Sequence, residues 1–177
     1  MGKLDNKVAI ITGGNAGVGK EIAKLFASEG AKVVISARRQ QVLEEAAKEI
    51  EAAGGTVLCV PTDISKVDDV KNLVSKTVET FGQLDILINN AAIAPKVPFE
   101  DIPLEQLEQV LRVNLMGAFL CAQEAAAQMK EKRWGRIISL ASMAGRFGAN
   151  KSGAHYAATK AGIVGMTLSL AKTLGPY

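Results

Sequence analysis

The sequence predicts an α/β fold in which a parallel sheet is covered by helices on both faces. Three observations predict it: short apolar runs recur along the chain, a helical pattern separates each run from the next, and the first run ends in a glycine-rich turn that opens a helix. Strands joined each time through a helix need crossover connections. These are right-handed, so the sheet is parallel and doubly wound.

Taken in order, Val8-Ala9-Ile10-Ile11 is an unbroken apolar run ended by Thr12-Gly13-Gly14, the pattern of a strand buried on both faces. Ile22, Leu25, Phe26 and Glu29 follow at helical spacing until Gly30, and Lys32 to Ser36 is a second, β-branched strand. Leu43, Ala46, Ala47 and Ile50 share a helical face closed by Gly54-Gly55, after which Thr56 to Val60 forms strand three. Ser65 with Asp68 three residues on resembles a capping box, and it precedes an apolar stripe of Val67, Val70, Val74, Val78 and Phe81 that Gly82 stops. Leu84 to Asn89 is strand four. Residues 104 to 130 carry one long helical pattern, Arg136 to Leu140 is strand five, and a helix from about Tyr156 to Leu174 ends at Gly175-Pro176.

Length and composition fit this reading. The 177 residues suffice for one domain, residues 1–177, and 48% apolar with 22% charged residues is ordinary for a soluble globular chain. A net charge of +3, spread along the sequence, argues against a nucleic-acid or membrane surface. Cys59 and Cys121 lie far apart in apolar runs, with no metal-ligand spacing, and read as core residues; no metal site is expected. The polar start, Met1 to Asn6, resembles no signal or transit peptide, so a cytoplasmic location is expected.

In an open parallel sheet, ligands collect beyond the carboxyl ends of the strands. After strand one, Thr12 to Gly19 offers a backbone with little side chain leading into a helix N-terminus, suited to a pyrophosphate; Gly13, Asn15, Gly17, Val18 and Gly19 are the candidate contacts. After strand two, an NAD site would present a carboxylate to the ribose 2′-hydroxyl. Here stand Ala37-Arg38-Arg39, and guanidinium groups suit a 2′-phosphate, so NADP(H) is favoured over NAD(H). Thr62-Asp63-Ile64 follows strand three and Asn89-Asn90-Ala91-Ala92 follows strand four; Asn89 also reads as a turn residue satisfying its own backbone. Ser142 follows strand five, and Tyr156 and Lys160, four apart, share one helix face. A free tyrosine, with a pKa near ~10, exchanges protons poorly at neutral pH, and a neighbouring ammonium corrects this by stabilising the phenolate. Ser142 is placed to donate to a substrate oxygen as charge develops.

Thr12 to Gly19 with its Gly13-x-x-x-Gly17-x-Gly19 spacing, Asp63, Asn89 to Ala91, Asn114, Ser142 and Tyr156-x-x-x-Lys160 resemble the short-chain dehydrogenase/reductase family, in the manner of its 3-oxoacyl-acyl-carrier-protein reductases, from Lys7 to Pro176. The resemblance implies a Rossmann fold and hydride exchange between a nicotinamide and a carbonyl or secondary alcohol. By it, Tyr156 is the general acid or base, Lys160 also binds the nicotinamide ribose, and Ser142 polarises the carbonyl. Asp63, Ile64, Asn90 and Ala91 hold the adenosine half, and Asn114 holds a water of the proton relay. From the residues alone, Asn114 is a polar group on an apolar helix face, which points to a buried hydrogen bond. His155 reads as a rim residue.

Two departures stand out. Ser142 and Tyr156 lie one residue further apart than the family pattern expects, which places a rearranged loop at Ala149 to Ala154. The family also continues beyond Tyr177 into further strands and a substrate-covering loop, so the chain is expected to be cut short, with its last strands missing and strand five left with an open edge. A catalytically silent NADP-binding or interaction module is the alternative to an enzyme, and an epimerase or dehydratase also carries Tyr-x-x-x-Lys. The expected partner is a small carbonyl or alcohol substrate. A homo-oligomer, dimer or tetramer, is expected through the helices at 104–130 and 156–174.

Overall fold

The computed structural model describes residues 2–149 and 153–177. Its strands are β1 (Val8–Thr12), β2 (Lys32–Ala37), β3 (Thr56–Pro61), β4 (Ile86–Asn89) and β5 (Arg136–Ser139). They form one parallel sheet in the order β3-β2-β1-β4-β5. The helices are α1 (Gly17–Ser28), α2 (Gln40–Ala52), α3 (Val67–Phe81), α4 (Leu104–Leu111), α5 (Ala118–Glu131), the short α6 (Ala144–Phe147) and α7 (Gly153–Leu174).

Successive residues of a strand point to opposite faces, and the two cores follow that period of two. Ala9, Ile11, Val33, Ile35, Ile86 and Ile88 pack against Ala23 of α1 and Leu43, Ala46 and Ile50 of α2. Ile10, Val34 and Leu87 pack on the opposite face against Val70, Leu73 and Val74 of α3 and Cys121, Ala122 and Ala125 of α5. With both faces covered, β1 is buried along its whole length, which is why its sequence shows no alternation. The chain winds outward from β1 to β3 and then returns to the other side of β1 as β4. A crevice therefore opens between β1 and β4 at their carboxyl ends.

Four local expectations are corrected. The helical stretch at 104–130 is not one α-helix: residues Arg112–Gly117 form a π-helical segment between α4 and α5. Within it, the Asn114 side chain closes two hydrogen bonds with the backbone of Ile93 and ties the segment to the loop after β4. The capping box is absent. Ser65 donates its hydroxyl to Asp63, and the carboxylate reaching back from the first turn of α3 is Asp69, which accepts from the Asp63 amide. Strand four starts at Ile86, because Asp85 turns its buried carboxylate to the Val8 amide and the Lys132 ammonium. Asn89 does not serve its own backbone; its amide donates to the Ala118 carbonyl and ties β4 to α5.

β5 pairs with β4 alone among the described residues, and Ile138 remains 49% exposed. The open edge expected for the fifth strand is present. Of the loop expected to be rearranged, residues 150–152 lie outside the described residues.

Candidate active site

A cavity of about 420 Å³ lies over the carboxyl ends of β1 to β4. The β1–α1 turn enters it through Gly13, Asn15 and Val18, β2 through Ser36 and Arg38, the loop after β3 through Asp63 and Ile64, and the loop after β4 through Asn90 and Ala91. The turn is braced from below. Thr12 Oγ1 donates to the Ile88 carbonyl at 3.2 Å and accepts from the amides of Asn90 at 3.0 Å and Ala91 at 3.1 Å. The Asn90 side chain donates to the Thr12 carbonyl at 2.9 Å and the Gly13 carbonyl at 3.2 Å.

Two glycines of the turn have different jobs. Gly17, at φ +53°, opens α1 with nothing within 4 Å of the position a Cβ would take, which leaves an approach to the helix N-terminus clear. A Cβ on Gly19 would stand 2.4 Å from both the Asn90 amide nitrogen and the Gly13 oxygen, so Gly19 permits packing inside the protein and is not a lining residue. Of the two arginines, Arg38 lines the cavity and Arg39 does not; Arg39 is the residue that precedes α2. For Asp63, burial pushes the carboxyl upward, but the hydroxyl and amide of Ser65, with Lys66 and Arg38 nearby, outweigh it and hold the group below its ordinary value.

A dinucleotide fits this cavity on two observations. The crevice leaves a bare glycine approach to a helix N-terminus, and the Ser36 hydroxyl, buried in its wall, has no hydrogen-bond partner among the described residues.

A second group stands at the end of β5. Lys160, 5% exposed, donates from Nζ to the Leu140 carbonyl at 2.7 Å and lies 5.8 Å from the centre of the Tyr156 ring. Burial pushes its ammonium below the usual lysine value. The Ser142 hydroxyl accepts from the Ala144 amide at 3.2 Å, which starts α6, and α6 lies so close on α7 that a Cβ on Gly145 would meet the backbone of Lys160. The segment carrying Ser142 and the helix carrying Tyr156 and Lys160 are thereby held together. Asn114, 1% exposed, joins the group through Thr159, donating to its hydroxyl at 3.3 Å, while that hydroxyl donates to the Tyr156 carbonyl at 2.7 Å.

The sequence reading missed Thr12 as a brace, Ile93 as the backbone partner of Asn114, and Ser36 as a cavity residue. Thr12 alone carried a signal, as the hydroxyl residue that closes the apolar run Val8 to Ile11. His155 is also corrected: it is 3% exposed and packed inside, not on a rim. Among the described residues, no helix is long and apolar enough to cross a membrane, and no cluster of three potential metal-ligating side chains occurs.

Comparison with known proteins agrees with this architecture. The family model described as short chain dehydrogenase matches residues 7–177. An uncharacterized oxidoreductase of Thermotoga maritima is 40% identical over 98% of this chain and 68% of its own length. A 3-oxoacyl-[acyl-carrier-protein] reductase of Synechocystis is 36% identical over 98% of this chain and 70% of its own. The crystal structure of an NAD+-bound xylitol dehydrogenase superposes with a TM-score of 0.95 at 31% identity, covering 99% of this chain and 67% of that one. The chain thus spans about two thirds of the length of these relatives. The extent of the match, the identity and the superposition agree, and the chain belongs to the short-chain dehydrogenase family, whose members are oxidoreductases that use a nicotinamide cofactor.

Proposed function

We propose that this chain is an NADP(H)-dependent oxidoreductase that interconverts a carbonyl and a secondary alcohol, with Tyr156 exchanging the proton. The observation that carries the reading is the buried Lys160 ammonium beside the Tyr156 ring. Burying a cation is costly unless its donors are used. An ammonium has three N–H donors, and among the described residues one of them goes to the Leu140 carbonyl. The remaining donors are available to a cofactor ribose and to a phenolate on the same helix face, and an ammonium near a phenol stabilises the phenolate.

The Gly13 to Gly19 turn and the N-terminus of α1 hold the pyrophosphate, Asp63, Ile64, Asn90 and Ala91 hold the adenosine, and Arg38 meets the 2′-phosphate. Xylitol dehydrogenase, by contrast, is a relative with NAD+ bound. The nicotinamide, when bound, supplies or accepts the hydride. Tyr156 gives its hydroxyl proton to the substrate oxygen in reduction and takes one back in oxidation. Ser142 uses its oxygen to accept from Ala144, and among the described residues its hydroxyl donates to none, which leaves it to donate to the same substrate oxygen as negative charge builds there. Asn114 holds the π-helical segment in place and, through Thr159, the first turns of α7. The working form is a homo-oligomer, since Phe119 on α5 and Val164 and Leu168 on α7 are exposed apolar residues.

The test is oxidation of NADPH by the purified chain with a panel of ketones and aldehydes. Tyr156→Phe is expected to lower kcat by about 10²–10⁴-fold, the usual contribution of a positioned proton donor, with little change in NADPH affinity. Tight NADPH binding with no turnover by the unaltered chain on any carbonyl would instead identify a binding module.

A further inference from the structure

Outside the site just described, the most unusual buried chemistry lies along the seam where α4 packs on α7. On α4 and its approach, Ile102, Gln106, Val110 and Asn114 recur every four residues and form one stripe. On α7 the facing stripe is His155, Thr159 and Ile163, all buried. Two contacts fix the register: a Cβ on Gly153 would lie 3.6 Å from Ile102 Cδ1, and Asn114 donates to Thr159 at 3.3 Å. Gln106 and His155 fall in the interval between them.

Among the described residues, both carry buried polar atoms without a hydrogen-bond partner: Gln106 Oε1, and Nδ1 and Nε2 of His155. Buried polar atoms without partners are rare, and three in one seam call for a common cause. A neutral imidazole offers one donor and one acceptor, while an amide oxygen wants a donor, so a water between them, or a small rotation of either side chain, pairs the ring N–H with Gln106 Oε1. Room for the ring is built in. Gly153 adopts φ +72°, and a Cβ there would stand 2.5 Å from His155 Cε1.

Resting on the reading of Tyr156 as the proton-exchanging group, we propose that His155 is a positioning residue, clasped to Gln106 across the seam, which sets where the first turn of α7 places Tyr156. The peptide of His155 leads directly into Tyr156, and the next polar tie, from Thr159 to the Tyr156 carbonyl, acts on the same residue from the other side. The two ties bracket the tyrosine. Reaction rates are steep in such geometry, a displacement of about 1 Å costing up to ~10²-fold.

His155 is the single histidine of the 177 residues, so a ¹⁵N-labelled chain gives one imidazole spin system. The clasp predicts one ring N–H protected from solvent exchange, with a chemical shift that moves in Gln106→Leu. It also predicts that His155→Phe lowers kcat by at least about tenfold while the KM for NADPH stays within about twofold, and that His155→Gln, which keeps a donor and an acceptor, recovers most of the loss. A freely exchanging ring, a resonance indifferent to Gln106→Leu, or a kcat unchanged in His155→Phe overturns the proposal. Should His155→Phe not fold, the resonance of the unaltered chain against that of Gln106→Leu decides. Turnover that survives Tyr156→Phe overturns the role of Tyr156 and the positioning role with it. Failure of the clasp alongside an inactive Tyr156→Phe overturns the clasp alone.

Discussion

Arg38 and Arg39 are equivalent in sequence and unequal in space, because the first follows the end of β2 at the cavity wall while the second directly precedes α2. Arg38→Ala should weaken NADPH binding about ten- to hundredfold, as the loss of charge-assisted hydrogen bonds does, and leave NADH binding nearly unchanged. Arg39→Ala should alter neither, and titration calorimetry with both cofactors separates the two residues. Lys160 carries a second prediction, in pH. Its folded-state value lies below 10.5, so between that lowered value and 10.5 the unfolded chain keeps a proton that the folded chain has released. Stability contributed by this group is therefore fully present above 10.5 and is lost as pH falls through the lowered value. Melting curves across the alkaline range should show the native chain gaining on Lys160→Met as pH rises, and a gap that stays constant with pH would remove the argument. The placement of Tyr156 and Lys160 on one helix and of Ser142 after a strand end was legible because a fixed spacing and a strand end are local properties. Ser36 and Ile93 were not, since a serine in a strand and a backbone group in a loop acquire meaning only from what lies opposite.

Among the elements, the π-helical segment at Arg112–Gly117 has the clearest mechanical role. Asn114 accepts from the Ile93 amide at 2.8 Å and donates to its carbonyl at 2.9 Å, so it anchors the loop after β4 to the long helical run. Asn114→Leu leaves both backbone groups unpaired and should cost about 2–4 kcal/mol of stability, read as a lower midpoint in urea with an unchanged slope. A midpoint equal to that of the native chain would show that water replaces the side chain. The sequence announced Asn114 as a polar interruption of an apolar face and left the π geometry unannounced. Hydrophobic periodicity shifts by only a fraction of a turn across one inserted residue, too little to register over six residues. The capping box expected of Ser65 and Asp68 failed for a different reason: Ser65 donates to Asp63, and the carboxylate that reaches back to the Asp63 amide is that of Asp69. Strand and helix identities, by contrast, followed from patterns many residues long, and each of the five strands appeared within two residues of its expected limits.

On the scale of the whole molecule, the outer surfaces of α5 and α7 and β5 at the sheet edge are among the places where apolar side chains meet solvent: Phe119, Val164, Leu168 and Ile138 are 46–63% exposed. If the helix faces join copies of the chain, sedimentation at micromolar concentration should show an oligomer, and Phe119→Asp with Leu168→Asp should shift it toward monomer. A native chain that sediments as a monomer would count against that arrangement. The sequence by itself determined the alternation of strands and helices, hence a parallel, doubly wound sheet, and it located the glycine turn and the Tyr156–Lys160 pair, because chain stereochemistry and periodicity act over short distances along the backbone. Only the tertiary structure decided that Arg38 and not Arg39 faces the cavity, that Gly19 serves packing, and that His155 is buried. Each of those outcomes depends on contacts between segments far apart in the chain, where close packing and the pairing of buried polar groups select one neighbour from many.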